Sequence, residues 1–258
     1  METITTVPVN WYRRPRPTRA PEGFSARLEE TEQLLRAAAE HSPAVLAHSL
    51  SAEDMVLFHL IAKLDLPIQS FALDTGKLPQ ATLELWNRVE TIYSKRIERI
   101  SPREADVIEL TALNADSAIY ESKAIRARCC ELRKTVPLRA VLSGKRAWVT
   151  GLRRAQSAGR ANVSAVEFDS VFNLQKLSPL FAWTDEDVWY FIEKHEIPFS
   201  ALYEKGYASI GCDPCTRPIR ENEHPRAGRW WWEQTDPNAI KSECGIHVAA
   251  TDNTQDSK

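Results

Sequence analysis

The sequence Ala44-Val-Leu-Ala-His-Ser-Leu-Ser-Ala-Glu-Asp54 joins a short apolar run to a small, hydroxyl-rich turn. The apolar run, residues 44–48, predicts a buried β-strand, and residues 52–64 carry apolar side chains at helical spacing. The turn of residues 49–54 therefore connects a strand directly to a helix. Such a turn leaves backbone N–H groups free at the helix N-terminus, where they can bind an anion.

The alternation of strand and helix continues on both sides of this stretch. Further strands are predicted over residues 68–73, 95–100 and 146–150, and further helices over residues 78–93 and 103–113. On the N-terminal side, Ser25 is expected to cap a helix that begins near Phe24. The pattern predicts an α/β fold, a doubly wound and mainly parallel sheet with helices on both faces.

Composition limits the classes of protein to which the chain can belong. With 258 residues, 43% of them hydrophobic and 26% charged, the chain can bury a substantial core. A net charge of -2 argues against a general nucleic-acid-binding protein, which needs a basic surface. Five cysteines are too few for a disulfide scaffold and indicate a reducing compartment, the cytoplasm. No apolar run is long enough to cross a membrane, so no membrane partner is expected.

Three segments are predicted along the chain. Residues 1–21 are rich in arginine and proline without periodicity and are expected to form a flexible N-terminal arm. Residues 22–235 are expected to form the α/β domain. Residues 236–258 are expected to form a mobile C-terminal segment that carries the isolated cysteine Cys244.

Three loops follow predicted strands and should converge on one crevice. They are residues 49–54, residues 74–76 and residues 151–157, and the last of these is basic. Alone, each loop is typical of an ordinary helix cap, turn or solvated charge. In a parallel sheet, however, the ligand site lies beyond the carboxyl ends of the strands. The joint placement therefore predicts one site for a small anionic ligand.

Four of the five cysteines occur in two pairs, Cys129-Cys130 and Cys212-Asp-Pro-Cys215. Two residues between Cys212 and Cys215 would bring both sulfurs to one side of a tight loop. Adjacent cysteines fit a single tetrahedral zinc ion poorly, whereas the corners of a four-iron cluster are further apart. Ligand geometry thus favours a 4Fe-4S cluster over zinc. Four buried apolar thiols are the third interpretation, which leaves the pairing unexplained.

The chain resembles the assimilatory sulfonucleotide reductases over nearly its whole length. The motifs that carry the resemblance are Ser49–Asp54, Leu73-Asp-Thr-Gly76, Cys129–Lys134, Thr150–Ser157, Gly211–Cys215, Gly228–Glu233 and Glu243-Cys-Gly-Ile-His247. The two cysteine pairs are similar to those of the branch that acts on adenylyl sulfate (APS). The resemblance implies an adenine nucleotide alpha-hydrolase-like fold with iron-sulfur loops and a 4Fe-4S cluster bound by Cys129, Cys130, Cys212 and Cys215.

The resemblance also implies a reaction. Cys244 would attack the sulfur of adenylyl sulfate and form an S-sulfocysteine, with His247 as the second catalytic residue. Thioredoxin, or a glutaredoxin-like reductant, would then release sulfite. Because an isolated cysteine in a polar segment can reach a partner protein, the bare sequence agrees with this role.

The substrate is a small anion that cationic side chains must neutralise. In the family that the chain resembles, residues matching Arg226, Arg229, Lys134 and His247 line the substrate site, and Lys134 also lies near the cluster. The full set of expected substrate-binding residues is Ser49, Ser51, Asp54, Leu73, Asp74, Thr75, Gly76, Lys134, Arg153, Arg154, Ser157, Arg160, Arg226 and Arg229.

Three alternative functions follow from the same residues. The first is the same reaction on the 3'-phosphorylated nucleotide (PAPS). The second is an ATP-dependent sulfur-transfer enzyme such as a tRNA thiolase, although the loop 49–54 lacks the glycines that wrap a pyrophosphate. The third is a non-catalytic zinc-binding interaction module. A homo-oligomer is possible on any of these interpretations.

Overall fold

The computed structural model describes residues 10–233 and contains a six-stranded sheet with helices on both sides. The strands are β1 (Ala44–Ala47), β2 (Ile68–Leu73), β3 (Ile97–Ile100), β4 (Ala147–Val149), β5 (Val166–Asp169) and β6 (Leu174–Leu177). The helices are α1 (Phe24–Glu40), α2 (Ala52–Lys63), α3 (Gln80–Tyr93), α4 (Glu104–Ala112), α5 (Ala115–Ala118), α6 (Lys123–Cys130), α7 (Val136–Leu142) and α8 (Asp185–Lys194).

The sheet has the strand order β3-β2-β1-β4-β6-β5. The first five strands in this order pair in parallel, and only the edge strand β5 is antiparallel to its neighbour. The predicted mainly parallel, doubly wound α/β fold is therefore confirmed. The four predicted strands are present, β2 with the predicted bounds and β1, β3 and β4 slightly shorter, whereas β5 and β6 were not predicted. The edge strand β5 is short and contains no buried residue, so it lacks the buried apolar run by which the four strands above were predicted.

Neighbouring residues on the central strands pack into different cores. Leu46 and Val149 belong to the larger core, whereas Val45 and Trp148 belong to a second core that also contains Leu138 of α7. Successive side chains of a strand point to opposite faces of the sheet. Both faces are therefore covered by helices, as the apolar runs of the sequence predicted.

The Cys129-Cys130 pair lies where a helix changes its geometry. Helix α6 ends at Cys130, and residues Glu131–Thr135 continue as a π-helical turn before α7 begins. Single π turns inside helices frequently occur at functional sites. Leu132 of this turn packs in a small third core that includes Cys212, Cys215 and Trp230.

The described part of the N-terminal arm, residues 10–21, lies against the domain. Tyr12 donates its backbone N–H to the Ile219 carbonyl at 2.9 Å, and Trp11 forms an antiparallel bridge with Arg220. Helix α1 begins at Phe24 as expected, but its N-cap is Gly23, which has a φ of 71°. The prediction that Ser25 caps this helix is wrong, because glycine accommodates the left-handed backbone at this position. Within the described residues, no helix has the length and apolarity needed to cross a membrane.

Candidate active site

A cavity of about 280 Å³ opens at the carboxyl ends of the central strands. Ser49 lies in its wall after β1, Leu73 at the end of β2, and Thr150 directly after β4. The three predicted loops each contribute to its lining. This is the place where a parallel α/β sheet binds its ligand.

The turn between β1 and α2 is held by its own side chains. Ser51 is the N-cap of α2 and accepts a hydrogen bond from the Asp54 backbone. The Asp54 carboxylate accepts hydrogen bonds from the Ser49 backbone N–H at 2.7 Å and from the Ser49 hydroxyl at 2.5 Å. Burial raises the pKa of Asp54 to about 6, although the Ser49 hydrogen bonds oppose that rise. Gly151 lies so close to Asp54 that a Cβ atom there would collide with the carboxylate.

At the same end of the cavity, Arg153 is buried in an ion network. Its guanidinium pairs with Glu53 at 2.8 Å and with Asp185 at 2.5 Å, and it also donates to the Trp183 carbonyl. Burial opposes ionisation of Glu53, but Arg153 outweighs it and the pKa of the carboxyl is lowered. Arg153 lines the cavity as predicted. Its charge is compensated by these two carboxylates, and its role in substrate binding stays a prediction.

A second part of the cavity wall is cationic. Lys134, Arg226 and Arg229 all line it, next to Cys212. Arg229 is buried and donates to the Ile210 carbonyl at 3.0 Å. Its guanidinium packs directly on Gly211, where a Cβ atom would overlap it. The glycine before Cys212 therefore allows a cation to approach the cysteine turn.

All four paired cysteines line a second, smaller cavity of about 20 Å³. All four are free thiols, so none is committed to a disulfide. Lys134, Cys212 and Arg229 line both cavities, so these residues form the wall between them. The two cysteine pairs are far apart in the chain but meet at this one cavity.

The environment of the four thiols is cationic as well as buried. Burial opposes ionisation of Cys212, but Lys134, the Thr75 hydroxyl and Arg229 together lower its pKa. Burial raises the pKa of Cys215 to about 12. Burial likewise raises the pKa of Cys129, although Arg133 opposes the rise. A thiolate ligand set for an iron-sulfur group fits these surroundings, because cations compensate the charge of the thiolates.

The loop between β2 and α3 connects the two cavities. The Thr75 hydroxyl lies 3.3 Å from the Cys212 sulfur, and the Thr75 carbonyl accepts a hydrogen bond from Arg133 at 2.7 Å. The Lys77 carbonyl accepts the Asp213 backbone N–H at 2.8 Å. Thr75 also lines the main cavity. A loop predicted to bind the substrate therefore also holds the cysteine turn.

Ten of the fourteen expected substrate-binding residues line the main cavity. They are Ser49, Ser51, Asp54, Leu73, Thr75, Lys134, Arg153, Arg160, Arg226 and Arg229. The other four lie outside its lining. Asp74 accepts hydrogen bonds from the Gly76 backbone and from Arg99. Arg154 donates to the Val163 carbonyl and lies over the Phe181 ring, and Ser157 is in the extended backbone between two short 3₁₀ turns.

Several lining residues carried no functional signal in the sequence. Tyr12 belongs to the N-terminal arm, and Asp185 to an ordinary acidic helix start. Tyr203 is buried and its hydroxyl accepts the Ala52 backbone N–H at 3.1 Å, at the start of α2. Gln156 donates to Glu53 at 2.9 Å. Gln156 belongs to the loop 151–157, which the sequence did indicate, whereas only long-range contacts place Tyr12, Asp185 and Tyr203 at the cavity.

The expected catalytic residues Cys244 and His247 lie outside the described residues. Within residues 10–233, no group of three or more His, Cys, Asp and Glu side chains is arranged closely enough to hold a metal ion. The four cysteines are therefore brought to one cavity without being gathered around a single point.

The sheet order, the strand directions and the position of the cavity define an α/β protein of the adenine nucleotide alpha-hydrolase-like class. Its fold is similar to that of phosphoadenylyl-sulfate reductase from Candida auris, with a TM-score of 0.61 over 77% of this chain and 98% of that chain at 21% identity. It is also similar to FMN adenylyltransferase from Candida glabrata, with a TM-score of 0.53 over 84% of this chain and 76% of that chain at 15% identity.

Sequence comparison is more specific. The model of the phosphoadenosine phosphosulfate reductase domain matches residues 43–218. Adenosine 5'-phosphosulfate reductase of Allochromatium vinosum is 45% identical over 86% of this chain and 84% of its own length. The enzyme of the same name from Neisseria meningitidis serogroup A is 43% identical over 86% of this chain and 92% of its own length. The chain belongs to the phosphoadenosine phosphosulfate reductase family.

Proposed function

We propose that the protein is an adenosine 5'-phosphosulfate reductase that converts its substrate to sulfite and AMP in sulfate assimilation and cysteine biosynthesis. The names of relatives above 40% identity support this reaction. The structure supports it with one observation above others: Lys134 and Arg229 lie between the nucleotide-sized cavity and the four cysteines. A phosphate-sulfate anhydride is a small dianion, and these cations are placed to bind it.

Cys129, Cys130, Cys212 and Cys215 would hold a 4Fe-4S cluster. The fit rests on four free thiols that line one cavity with Arg126, Arg133, Lys134 and Arg229. When bound, the cluster would supply a compact anionic centre beside the substrate site and would tie distant loops together. Free thiols in these numbers suit a reducing compartment, so we place the protein in the cytoplasm.

The chemistry of the chain itself begins with charge neutralisation. Lys134, Arg226 and Arg229 bind the phosphosulfate, which orients its sulfur and compensates the charge on the departing phosphate. The Cys244 thiolate attacks that sulfur, the sulfur–oxygen bond breaks, and AMP leaves as an S-sulfocysteine forms. His247 is assigned to assist this step.

A dithiol protein, thioredoxin or a glutaredoxin-like reductant, completes the reaction. One of its thiolates attacks the S-sulfocysteine at the cysteine sulfur, releases sulfite and leaves a mixed disulfide. The second thiol of the reductant then releases the Cys244 thiolate. The dithiol is oxidised to a disulfide while the sulfur of the substrate gains two electrons, so the step is balanced.

The test is to trap the covalent intermediate. Purified enzyme is incubated with adenosine 5'-phosphosulfate without reductant and digested for mass spectrometry. We expect a sulfo group on Cys244 in the wild-type enzyme and none in Cys244→Ser, which should also lose sulfite production. A sulfo group on another residue, or full activity in Cys244→Ser, would contradict the proposed mechanism.

The second candidate is the same reaction on 3'-phosphoadenosine 5'-phosphosulfate, because the family model that matches the chain carries the name of that enzyme. Side-by-side measurement of kcat/KM on the two nucleotides separates the candidates. A higher value for the 3'-phosphorylated nucleotide would favour the second.

A further inference from the structure

The N-terminal arm is anchored by one buried cation. The Arg14 guanidinium pairs with Glu193 at 2.7 Å and with Glu204 at 2.8 Å. It also lies 4.5 Å from the centre of the Trp189 ring and 4.6 Å from that of Phe199. The Arg14 side chain is only 5% exposed. An arginine that is buried, doubly paired and stacked on two aromatic rings fixes the backbone on which it lies.

The backbone just before Arg14 is fixed by a second set of contacts. Tyr12 donates its N–H to the Ile219 carbonyl, and Glu221 donates its N–H to the Asn10 carbonyl at 3.0 Å. The Cβ atom of Trp11 packs on Gly206. The arm thus adds a short antiparallel pairing to the segment that precedes Arg226 and Arg229.

These two anchors place the Tyr12 side chain in the wall of the main cavity. Burial, together with Asp185, raises the pKa of Tyr12 to about 12. The hydroxyl therefore stays protonated and can donate a hydrogen bond. Within residues 10–233, the structure shows no hydrogen bond made by this hydroxyl to another protein group.

The charges of the cavity decide which part of a nucleotide Tyr12 can meet. The carboxylates of Glu53 and Asp185 beside Tyr12 compensate the charge of Arg153, so this part of the wall attracts phosphate less than the part formed by Lys134 and Arg229. A bound nucleotide would therefore direct its anionic end to Lys134 and leave its nucleoside at the end where Tyr12 lies.

We infer that the N-terminal arm is part of the nucleotide site, with the Tyr12 hydroxyl as a hydrogen-bond donor to the nucleoside and Arg14 as the residue that positions it. The inference rests on the proposed function, because that function supplies the nucleotide. It assigns a ligand contact to a segment that the sequence predicted to be a flexible arm.

The test uses the purified full-length holoenzyme and isothermal titration with AMP and with adenosine. Tyr12→Phe removes one hydrogen-bond donor, and we expect Kd to rise about 3- to 10-fold. The rise should be the same for adenosine and for AMP, because the contact is to the nucleoside. Tyr190→Phe is the matched control, since Tyr190 packs on Phe24 away from the cavity, and its Kd should be unchanged.

Arg14→Met releases the arm and should raise the Kd for AMP at least as much as Tyr12→Phe, whereas Arg13→Met, at an exposed neighbour, should not. The double variant Tyr12→Phe/Arg14→Met should bind no more weakly than Arg14→Met alone, because both changes remove the same contact. If Arg14 had only a structural role, the effects of the two substitutions on the binding free energy of AMP would add in the double variant.

Two failures are distinguishable. If the wild-type enzyme binds AMP and produces sulfite while Tyr12→Phe binds AMP as tightly as wild type, the contact is overturned and the proposed function stands. If the wild-type enzyme neither binds AMP nor produces sulfite, the proposed function fails and the contact fails with it.

Discussion

Arg153 and Lys134 line two parts of one cavity and have opposite kinds of partner. Arg153 is held by the carboxylates of Glu53 and Asp185, inside a network that also reaches Gln156. Lys134 lies on the wall between the cavity and the four cysteines, beside Arg229. The Arg153 region, called the compensated end, is thus an ion network in which the charges balance. The Lys134 region, called the cationic end, places two cations beside the cavity that the four cysteines line.

The difference lies in the partners: Arg153 is held by carboxylates, whereas Lys134 and Arg229 lie near Cys212 and lower the pKa of its thiol. A buried, paired arginine contributes to stability and shape, because removal of one partner leaves an uncompensated buried charge. A lysine beside thiols is expected to affect binding and activity, because its charge acts on whatever occupies the cavity. The two ends should therefore respond differently to the same kind of substitution.

The largest effect is expected from the compensated end. Arg153→Met leaves Glu53 buried without its cation, so the free energy of unfolding should fall by about 3–5 kcal/mol. Urea unfolding followed by circular dichroism measures the change. Arg154→Met is the matched control, because Arg154 is exposed and should change stability by less than about 0.5 kcal/mol.

A second substitution makes this prediction sharper. Because Glu53→Gln removes the buried charge that Arg153→Met leaves behind, the double variant should be more stable than Arg153→Met alone. If Arg153→Met and Arg154→Met lowered the free energy of unfolding equally, the Arg153 network would contribute nothing to stability. The contrast between Arg153 and Lys134 would then not hold.

The second-largest effect is expected on enzyme activity, from substitution of Lys134 at the cationic end. Lys134→Met should lower kcat/KM for adenosine 5'-phosphosulfate about 10²-fold, because one preorganised cation at the reacting group is removed. Sulfite production measures kcat/KM, and iron analysis reports whether the cysteine site is still loaded. Lys205→Met, at an exposed position, is the control and should be unchanged. An unchanged kcat/KM in iron-loaded Lys134→Met would exclude the assigned role.

The smallest effect concerns Asp54 and pH. Burial raises the pKa of Asp54 from 3.8 to about 6 in the folded protein, so the folded state favours the protonated form. This contribution to stability is complete below pH 3.8 and is lost as the pH rises through 6. Between pH 4 and pH 6 the loss should be about 2 kcal/mol.

Asp54→Asn removes the titration and isolates its contribution. The free energy of unfolding of Asp54→Asn minus that of wild type should rise by about 2 kcal/mol from pH 4 to pH 6, since only wild type pays for ionising the buried carboxyl. Urea titrations at several pH values give this difference. A difference that is independent of pH would mean that Asp54 is ionised throughout the range and that the compensated end carries a further buried charge.

Local patterns were sufficient for the architecture. The alternation that begins at Ala44 predicted four strands in a mainly parallel sheet, because periodicity and the lengths of buried runs are properties of neighbouring residues. β5 and β6 were not predicted; β5 is short and contains no buried residue, and β6 is also only four residues long. The cysteine spacing likewise marked both pairs, and the structure brings all four to one cavity.

The individual roles of the arginines were not accessible in the same way. Arg153, Arg154 and Arg160 follow one strand and are equivalent in sequence, yet Arg153 is buried against Glu53, Arg154 is exposed and Arg160 lines the cavity. Tyr12 and Asp185 had no motif at all. Which charge is compensated depends on partners many residues away, which local spacing does not encode.

The sequence by itself therefore determined the class of fold, the family and the set of reactive thiols, because each depends on residue types at short spacing. The tertiary structure alone decided which cations line the wall beside the cysteines, that Arg153 pairs with Glu53 and Asp185, and that Tyr12 of the N-terminal arm lines the cavity. The physical reason is that burial and charge compensation are set by long-range contacts, and these determine whether a side chain binds a ligand or supports the fold.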